Sequence, residues 1–233
     1  MCITPRHLNF YTVSYTINVP FNFLFKRHMS DPNDKETLTI RHYDDHAEAF
    51  WAGTKDHDVS QNIEAFLTAL PKGKPLNILD FGCGPGRDLQ HFKSLGHHPI
   101  GLDGSKTFCK MATKFSGCPT LNQTFTTLNL PTEYFDGVFA NASMFHVPST
   151  HLLAVLKTLH HCLRPNGVLF TSNPRGNAEG WQGQRYGHYQ EIEESKAFIE
   201  QAGFELLSHY YRPKGKPIEQ QPWLAMLSRR VSL

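Results

Sequence analysis

The chain has 233 residues, 39% of them hydrophobic, and a formal net charge of +2. This length and composition predict one hydrophobic core and a single domain. The sequence has no block of basic residues, which disfavours nucleic acid as a substrate, and no apolar run of membrane-spanning length. Its five scattered cysteines lack the spacing of a disulfide framework or a metal site, so we expect a cytoplasmic protein without a metal.

The N-terminal segment differs in composition from the rest of the chain. It contains no Asp or Glu through residue 30 and is rich in Thr, Asn, Phe and Tyr. We expect residues 1–36 to be a disordered extension and residues 37–233 to be the domain. An acid-free leader with hydroxyl side chains is typical of organellar transit peptides, so a mitochondrial location is the alternative if residues 1–28 are one. A start of translation at Met29 fits the same composition.

Apolar spacing after residue 43 predicts a regular alternation of helices and strands. Helices are predicted at residues 44–51, 60–70, 89–95, 105–115, 150–163 and 192–202, and strands at residues 77–81, 98–103, 121–126, 135–140, 168–172, 204–211 and 223–228. Such an alternation produces a parallel sheet with helices packed on its faces. Ligands of these sheets bind beyond the carboxyl ends of the strands.

Residues 173–189 interrupt this alternation. The segment is too polar for the core and contains several glycines, so we expect a long surface loop. Its charged and aromatic side chains suit contact with a substrate, and we assign that contact to Arg185, Tyr186 and Tyr189.

The turn after the first predicted strand is the most informative segment of the sequence. Asp80 stands near the end of that strand, and Gly82, Gly84 and Gly86 follow at every second position. Glycines let the backbone pass close to a ligand, and the next helix directs free N–H groups towards it. The turn therefore predicts a cofactor cradle. The dinucleotide fingerprint G-x-G-x-x-G would require its third glycine where this chain has Arg87.

The second predicted strand ends in an acid, Asp103. A carboxylate at this position is able to accept hydrogen bonds from both hydroxyl groups of a ribose. Its distance from Gly82 matches the roughly 20 residues that separate the glycine loop and the ribose acid in nucleotide-binding α/β proteins. The pair predicts a nucleoside-containing cofactor.

Four segments in order resemble the motifs of class I S-adenosylmethionine-dependent methyltransferases. They are Ile78–Leu89, Gly101–Asp103, Phe135–Pro148 (FDGVFANASMFHVP) and Leu163–Ser172 (LRPNGVLFTS), within core motifs that span residues 77–172. The likeness is greatest to the small-molecule branch that includes the ubiquinone- and menaquinone-biosynthesis methyltransferases. It implies a Rossmann-like α/β fold with a doubly wound seven-stranded sheet of order 3-2-1-4-5-7-6, the last strand antiparallel. It also implies S-adenosylmethionine as the cofactor and a small-molecule acceptor.

The resemblance further implies roles for individual residues. Asp80 either binds the methionine ammonium or caps the loop, and Arg87 either pairs with the methionine carboxylate or lies on the surface. Asn141 would lie beside the transferable methyl group. The segment containing Tyr43 resembles the lid helix of this branch, in which an aromatic ring over the sulfonium gains a cation–π interaction. His146 would either take a proton from the acceptor or only line the pocket.

The chain departs from this branch at the adenine site. Relatives commonly have an acid after the third strand, whereas residues 122–126 contain none, so Gln123, Thr124 or a backbone carbonyl would contact adenine. Two other functions stay open from the sequence: a dinucleotide-dependent oxidoreductase, and a non-catalytic methyltransferase-like partner of another protein. The acceptor atom and the oligomeric state are not predicted.

Overall fold

A computed structural model describes residues 35–231. The predicted N-terminal extension lies outside the described residues except for Lys35 and Glu36, which belong to the first helix. The transit-peptide interpretation and both predicted locations therefore stay predictions. Within the described range, no helix is both long and apolar enough to cross a membrane. That range also contains no group of three or more His, Cys, Asp or Glu side chains arranged to hold a metal ion.

Helices and strands alternate along the described chain. The helices are Lys35–Asp45 (α1), Ala47–Thr54 (α2), Ser60–Ala69 (α3), Arg87–Ser94 (α4), Lys106–Ser116 (α5), Ser149–Cys162 (α6) and Ile192–Gln201 (α7). The strands are Asn77–Phe81 (β1), His98–Asp103 (β2), Thr120–Asn122 (β3), Phe135–Asn141 (β4), Leu163–Pro174 (β5), Glu179–Gln182 (β6), Arg185–His188 (β7), Phe204–Arg212 (β8) and Trp223–Arg230 (β9). Short 3₁₀ turns cover Met144–His146 and Ile218–Gln220.

The main sheet has seven strands in the order β3-β2-β1-β4-β5-β9-β8. The first five pair in parallel, while β9 runs antiparallel to both β5 and β8. Without the separate β6–β7 hairpin this is the predicted order 3-2-1-4-5-7-6 with the last strand antiparallel, so the predicted fold is confirmed. The chain changes direction across the sheet between β1 and β4, where open α/β sheets bind their ligands.

Apolar side chains fill both faces of this sheet. On one face, Phe66 of α3 is fully buried against Phe139 and Phe170, whose rings stack with centroids 4.8 Å apart. Gly137 of β4 admits the Phe66 ring, because a Cβ there would lie 2.5 Å from Phe66 Cζ. Full burial of one such side chain stabilises the fold by about 1.5–3 kcal/mol. This packing holds α3 against β4 and β5.

Two predicted elements near the site differ in the structure. The helix predicted at residues 44–51 is the end of α1 and most of α2, which separate at His46, where φ is −117° and ψ is 20°. The third strand ends at Asn122 instead of residue 126, because the following threonines form a turn in which Thr127 N–H donates to Thr124 O. Sequence analysis missed most of α1 because Thr39 is its only buried residue.

The expected loop at residues 173–189 is largely a β-hairpin, and this corrects the sequence prediction. Strands β6 and β7 pair antiparallel, with Trp181 opposite Tyr186. Gly183 adopts a φ of +63° in the turn between them, a conformation that favours glycine. The glycines that suggested a loop are compatible with this tight hairpin, and the buried Tyr186 anchors it to the domain.

Candidate functional site

The glycine loop between β1 and α4 contains three left-handed residues with different surroundings. A Cβ on Gly82 would lie 2.3 Å from Ser143 Cβ, and one on Gly86 would lie 2.7 Å from the backbone of Ala112 in α5. Gly84 has a φ of +51°, and a Cβ there would meet only Phe50, at 3.7 Å. Gly84 therefore keeps space open above the loop. Gly86, predicted to hold the cofactor, instead lets the loop pack on α5.

Asp103 lies at the carboxyl end of β2, next to this loop. Its Oδ2 accepts a hydrogen bond from Gly84 N–H at 3.0 Å, and its Oδ1 accepts one from Ser105 N–H at 2.8 Å. Burial raises the pKa of Asp103 to about 6, although both backbone donors act against the shift. Each carboxylate oxygen retains acceptor capacity. The glycine loop and the predicted ribose acid thus form one connected unit.

Asp80 lies beneath the loop, at the end of β1. Its Oδ2 is buried without a hydrogen-bond partner among residues 35–231, and its pKa is raised well above the usual range by burial and by the nearby Asp88 carboxylate. A buried carboxyl group without a partner is costly unless a ligand or water satisfies it. Its position fits the predicted interaction with a ligand ammonium, directly or through water.

Two cavities meet at the glycine loop. The inner cavity, of about 80 Å³, lies between α1 and the loop and contains Asp103 and His146 in its wall. The outer cleft, of about 510 Å³, extends from Arg87 past Asn141 to Trp223 at the start of β9. Gly82, Gly84, Phe50 and Ala142 line both spaces. A ligand over Gly84 therefore reaches both cavities.

Asn141 occupies the end of β4, between the loop and the outer cleft. Its Oδ1 accepts a hydrogen bond from Asn62 Nδ2 at 2.9 Å, and its Nδ2 donates to Asp88 Oδ2 at 3.3 Å. Tyr210 of β8 donates in turn to Asn62 Oδ1 at 2.9 Å. Asn141 lines the outer cleft, and its side chain links Asp88 at the start of α4 to the edge strand β8.

The structure gives Arg87 partners within the protein. Its Nε and Nη2 donate to the two carboxylate oxygens of Asp88 at 2.7 and 3.0 Å, and its Nη1 donates to Thr54 O at 3.0 Å. Arg87 also lines the outer cleft, and the predicted pairing with the methionine carboxylate stays a prediction. Its contact with Thr54 fixes the end of α2.

Tyr43 and His146 face each other in the inner cavity. The Tyr43 hydroxyl lies 2.8 Å from His146 Nε2, and His146 Nδ1 lies 2.6 Å from the carbonyl oxygen of Tyr186. Burial lowers the pKa of His146 to about 4 and raises the pKa of Tyr43 above its usual value. Both side chains are therefore neutral near pH 7. Their contact was not predicted, since 103 positions separate them in the sequence.

The three residues assigned to substrate contact have different positions in the structure. Arg185 donates to the Tyr43 hydroxyl at 3.3 Å and so reaches the inner site. Tyr186 is buried, where its backbone N–H donates to Thr39 Oγ1 and ties the hairpin to α1. Tyr189 packs against Phe145 with ring centroids 5.8 Å apart. Among these three, Arg185 is the residue whose side chain forms a hydrogen bond with a residue of the inner cavity wall.

Sequence analysis missed Glu36, a residue of α1 that lines the inner cavity. Its carboxylate accepts hydrogen bonds from Thr126 N–H at 3.1 Å and from Thr126 Oγ1 at 2.5 Å. The side chains of Gln123 and Thr124, which were expected to contact adenine, bond within their own loop, to Asn129 and Thr127. An acid from α1 thus lies beside the segment that follows β3. No sequence spacing links these two segments.

Comparison with known proteins shows a similarity to methyltransferases. Residues 79–171 match a family model described as a methyltransferase domain. A curated relative, malonyl-[acyl-carrier protein] O-methyltransferase of Pseudescherichia vulneris, is 27% identical over 128 residues, which cover 52% of this chain and 50% of the relative. Residues 79–171 are thus similar to a methyltransferase domain, in agreement with the predicted resemblance to the class I S-adenosylmethionine-dependent methyltransferases. This match supports S-adenosylmethionine as the cofactor, and it spans half of the length of the curated relative.

Solved methyltransferase structures share the fold. The Burkholderia thailandensis 1,6-didemethyltoxoflavin-N1-methyltransferase, which holds 1,6-didemethyltoxoflavin and S-adenosylhomocysteine, has a TM-score of 0.70 and 19% identity. The match covers 88% of this chain and 92% of that one. A Leishmania major S-adenosylmethionine-dependent methyltransferase has a TM-score of 0.72 and 16% identity, over 85% of both chains. At these identities the likeness concerns the fold of the methyltransferase.

Proposed function

We propose that this methyltransferase transfers a methyl group from S-adenosylmethionine to a small-molecule acceptor. The observation that carries the proposal is the unit formed by Gly84 and Asp103. The Asp103 carboxylate at the end of β2 accepts a hydrogen bond from the N–H of Gly84 in the loop after β1. Both residues line the inner cavity. One nucleoside bound there would contact both residues, with its ribose hydroxyls donating to the carboxylate.

The remaining cofactor contacts follow from the same geometry. The Asp80 carboxyl group has an unsatisfied buried oxygen beneath the loop and suits the methionine ammonium. Glu36, beside the chain after β3, is the acid placed to accept a hydrogen bond from the adenine amino group. Tyr43 contributes an aromatic ring to the wall of the same cavity. These assignments provide a carboxyl group for the adenine end of the cofactor and another for its methionine end.

S-adenosylmethionine supplies the methyl group as a sulfonium cation and retains the electron pair of the broken S–C bond. The protein therefore has mainly to align the acceptor with that methyl group and to exclude water, and alignment of this kind contributes roughly 7–11 kcal/mol. The outer cleft meets the inner cavity at Gly84 and Ala142 and offers the acceptor a route to the methyl group.

The size of the site favours a small acceptor. The inner cavity is covered by α1, which the β6–β7 hairpin holds through Tyr186 and Thr39, and the outer cleft has a volume of about 510 Å³. Pockets of roughly 300–1,000 Å³ accommodate small organic ligands. The acceptors in the names of the two relatives, 1,6-didemethyltoxoflavin and the malonyl thioester of acyl-carrier protein, are suitable first compounds for an assay.

Calorimetric titration with S-adenosylhomocysteine and with NAD tests the cofactor assignment. We expect binding of S-adenosylhomocysteine alone. Asp103→Ala should weaken this binding, while Asp56→Ala, which removes an exposed acid, should not. Binding of NAD alone would instead favour the oxidoreductase, and absence of both would favour a non-catalytic protein.

A second assay tests methyl transfer itself. Labelled S-adenosylmethionine is incubated with the enzyme and the two acceptors, and then with fractionated metabolite extracts, in which we expect label in a small-molecule product. Label found only in nucleic acid, or only in protein other than the added malonyl-[acyl-carrier protein], would contradict the proposed acceptor class.

A further inference from the structure

Tyr43 and His146 form a hydrogen-bonded pair at the wall of the inner cavity. Tyr43 comes from α1 and His146 from the 3₁₀ turn after β4, and their rings meet edge to face with centroids 5.5 Å apart. Phe50 and Phe108 pack against the Tyr43 ring at 5.5 and 5.6 Å. The aromatic neighbours fix the Tyr43 ring, so its hydroxyl has one well-defined direction.

The hydrogen bonds determine the position of each proton in this pair. The Tyr186 carbonyl is only an acceptor, so the His146 nitrogen that it contacts, Nδ1, must carry a proton. In a neutral imidazole the other nitrogen, Nε2, is then an acceptor, and the Tyr43 hydroxyl donates to it. The Tyr43 oxygen retains lone pairs, one of which accepts the N–H of Arg185 at 3.3 Å.

We propose that Tyr43 and His146 form a proton relay for methyl transfer. The Tyr43 oxygen takes the proton of the acceptor while the hydroxyl proton of Tyr43 passes to His146 Nε2. The inference rests on the proposed function and narrows its acceptor to a compound that loses a proton from the atom that is methylated. A hydroxyl or an N–H group has this property at neutral pH, whereas a carboxylate or a tertiary amine does not.

The relay balances as a single displacement. The bond between the acceptor atom and its hydrogen breaks, and its electron pair forms the new bond to the methyl carbon. The electron pair of the S–C bond stays with sulfur. The acceptor's proton ends on Tyr43, the proton of Tyr43 ends on Nε2, and His146 becomes a cation that releases its proton to water before the next turnover. No oxidant, metal or further reactant is required.

The charged groups around the pair act on its two members in different directions. Arg185 of β7 lies with its guanidinium carbon 5.9 Å from the centre of the Tyr43 ring and stabilises negative charge on the Tyr43 oxygen. Asp103 of β2 and Tyr189 raise the pKa of Tyr43, whereas Arg185 lowers it. Arg185 and His42 of α1 lower the pKa of His146. Burial is the largest influence on the pKa of both side chains.

A first experiment tests the proton positions without any acceptor. Nitrogen-15 spectra of the histidine side chains, recorded in the complex with S-adenosylhomocysteine, should show His146 in the Nδ1–H form and uncharged from pH 8 down to about 5, since its pKa is about 4. In Tyr43→Phe the tautomer should persist, because the Tyr186 carbonyl remains, and the pKa should rise because Nε2 loses its donor. An Nε2–H form would overturn the relay, because Nε2 would then be unable to accept the proton of Tyr43.

A second experiment uses the acceptor found in the transfer assay. Tyr43→Phe and His146→Gln should each lower kcat by roughly 10²–10⁴-fold, and the double variant should lose no more than the worse single variant, because the two residues act as one unit. Affinity for S-adenosylhomocysteine should stay within about threefold in His146→Gln, since that side chain contacts the Tyr43 hydroxyl instead of the nucleoside. Matched controls are Tyr134→Phe and His151→Gln, which alter exposed side chains and should retain wild-type kcat.

The pH profile distinguishes proton transfer from a merely structural role. Wild-type kcat should be flat from about pH 5.5 to 9, because neither relay residue titrates in that range. In both variants kcat should rise tenfold per pH unit, because the acceptor must lose its proton to solvent. A flat profile in the variants, or additive losses in the double variant, would overturn the relay while leaving the methyltransferase assignment intact. Failure of the wild type to bind S-adenosylhomocysteine would instead contradict the proposed function.

Discussion

The two sides of this site are built in different ways. The nucleoside side consists of the carboxyl ends of β1 and β2, where backbone geometry at Gly84 and one carboxylate, Asp103, define the binding surface. The proposed acceptor side consists of the side chains of Tyr43, His146 and Arg185, which meet only in the folded protein. Few substitutions are tolerated where the backbone itself forms the binding surface. A binding surface made of side chains, in contrast, changes its shape and charge with single substitutions. Acceptor specificity therefore has far more freedom to vary than cofactor specificity on this fold.

The largest expected effect is at Gly84. Gly84→Val should reduce affinity for S-adenosylhomocysteine by more than about 100-fold, because the left-handed φ strains a branched residue and its side chain would enter the space above the loop. Gly96→Val is the matched control, since Gly96 has a φ of +84° and no neighbour within 4 Å of its Cβ position. Calorimetry and the melting temperature should show similar strain in both variants but lost binding only at Gly84. Equal affinities would place the cradle elsewhere.

Asp103→Ala should have the next largest effect on the nucleoside side. Loss of charge-assisted hydrogen bonds to the ribose should weaken the binding of S-adenosylhomocysteine by roughly 1.5–3 kcal/mol, or about 10–150-fold in affinity. The pKa of Asp103 is about 6, so wild-type affinity should fall as pH decreases below 6 and the carboxylate is protonated. Titrations at pH 7.5 and 5 should show this loss in the wild type and not in the variant. A variant that retains the same pH dependence would exclude Asp103 as its source.

Arg87 tests where the boundary between the two sides lies. Arg87→Gln should lower the free energy of unfolding by roughly 1.5–3 kcal/mol, because Asp88 and Thr54 lose a charged donor. The variant should bind S-adenosylhomocysteine and 5′-methylthioadenosine, which lacks the amino-acid part, more weakly by the same factor. Arg87→Lys, which keeps the charge, should lie between wild type and Arg87→Gln in urea unfolding. A loss confined to S-adenosylhomocysteine would show that Arg87 binds the methionine carboxylate after all.

The smallest expected effect concerns stability on the acceptor side. His146 has a folded-state pKa of about 4, so between about pH 6.5 and 4 the unfolded chain binds a proton that the folded protein does not. This contribution to stability is present above pH 6.5 and is lost as pH falls through that window. His146→Gln removes the effect, so its stability relative to wild type should improve from pH 7 to pH 5 in urea unfolding. An equal difference in the free energy of unfolding between variant and wild type at both pH values would contradict a buried neutral His146.

The contrast between the two sides also explains what could be predicted from the sequence. Gly84 and Asp103 were identified because a turn and a strand end are local features, and parallel strands bring their carboxyl ends together. The Tyr43–His146 contact and the role of Glu36 depend on how α1 crosses the top of the sheet, and no local pattern specifies that crossing. The pair between Arg87 and the adjacent Asp88 was not predicted, although a neighbouring side chain of opposite charge competes with any ligand.

The hydrogen bonds of α1 have a kinetic consequence. Asp44 of α1 accepts from Ser105 Oγ at 2.6 Å and from Thr107 N–H at 3.0 Å, which adds to the contacts of Glu36 and Tyr43. The space beneath the helix, about 80 Å³, is far below the roughly 300 Å³ at which organic ligands begin to fit. Nucleoside exchange therefore requires these bonds to break in every turnover. Departure of spent S-adenosylhomocysteine is then coupled to a movement of α1, and movements of this kind take microseconds to milliseconds.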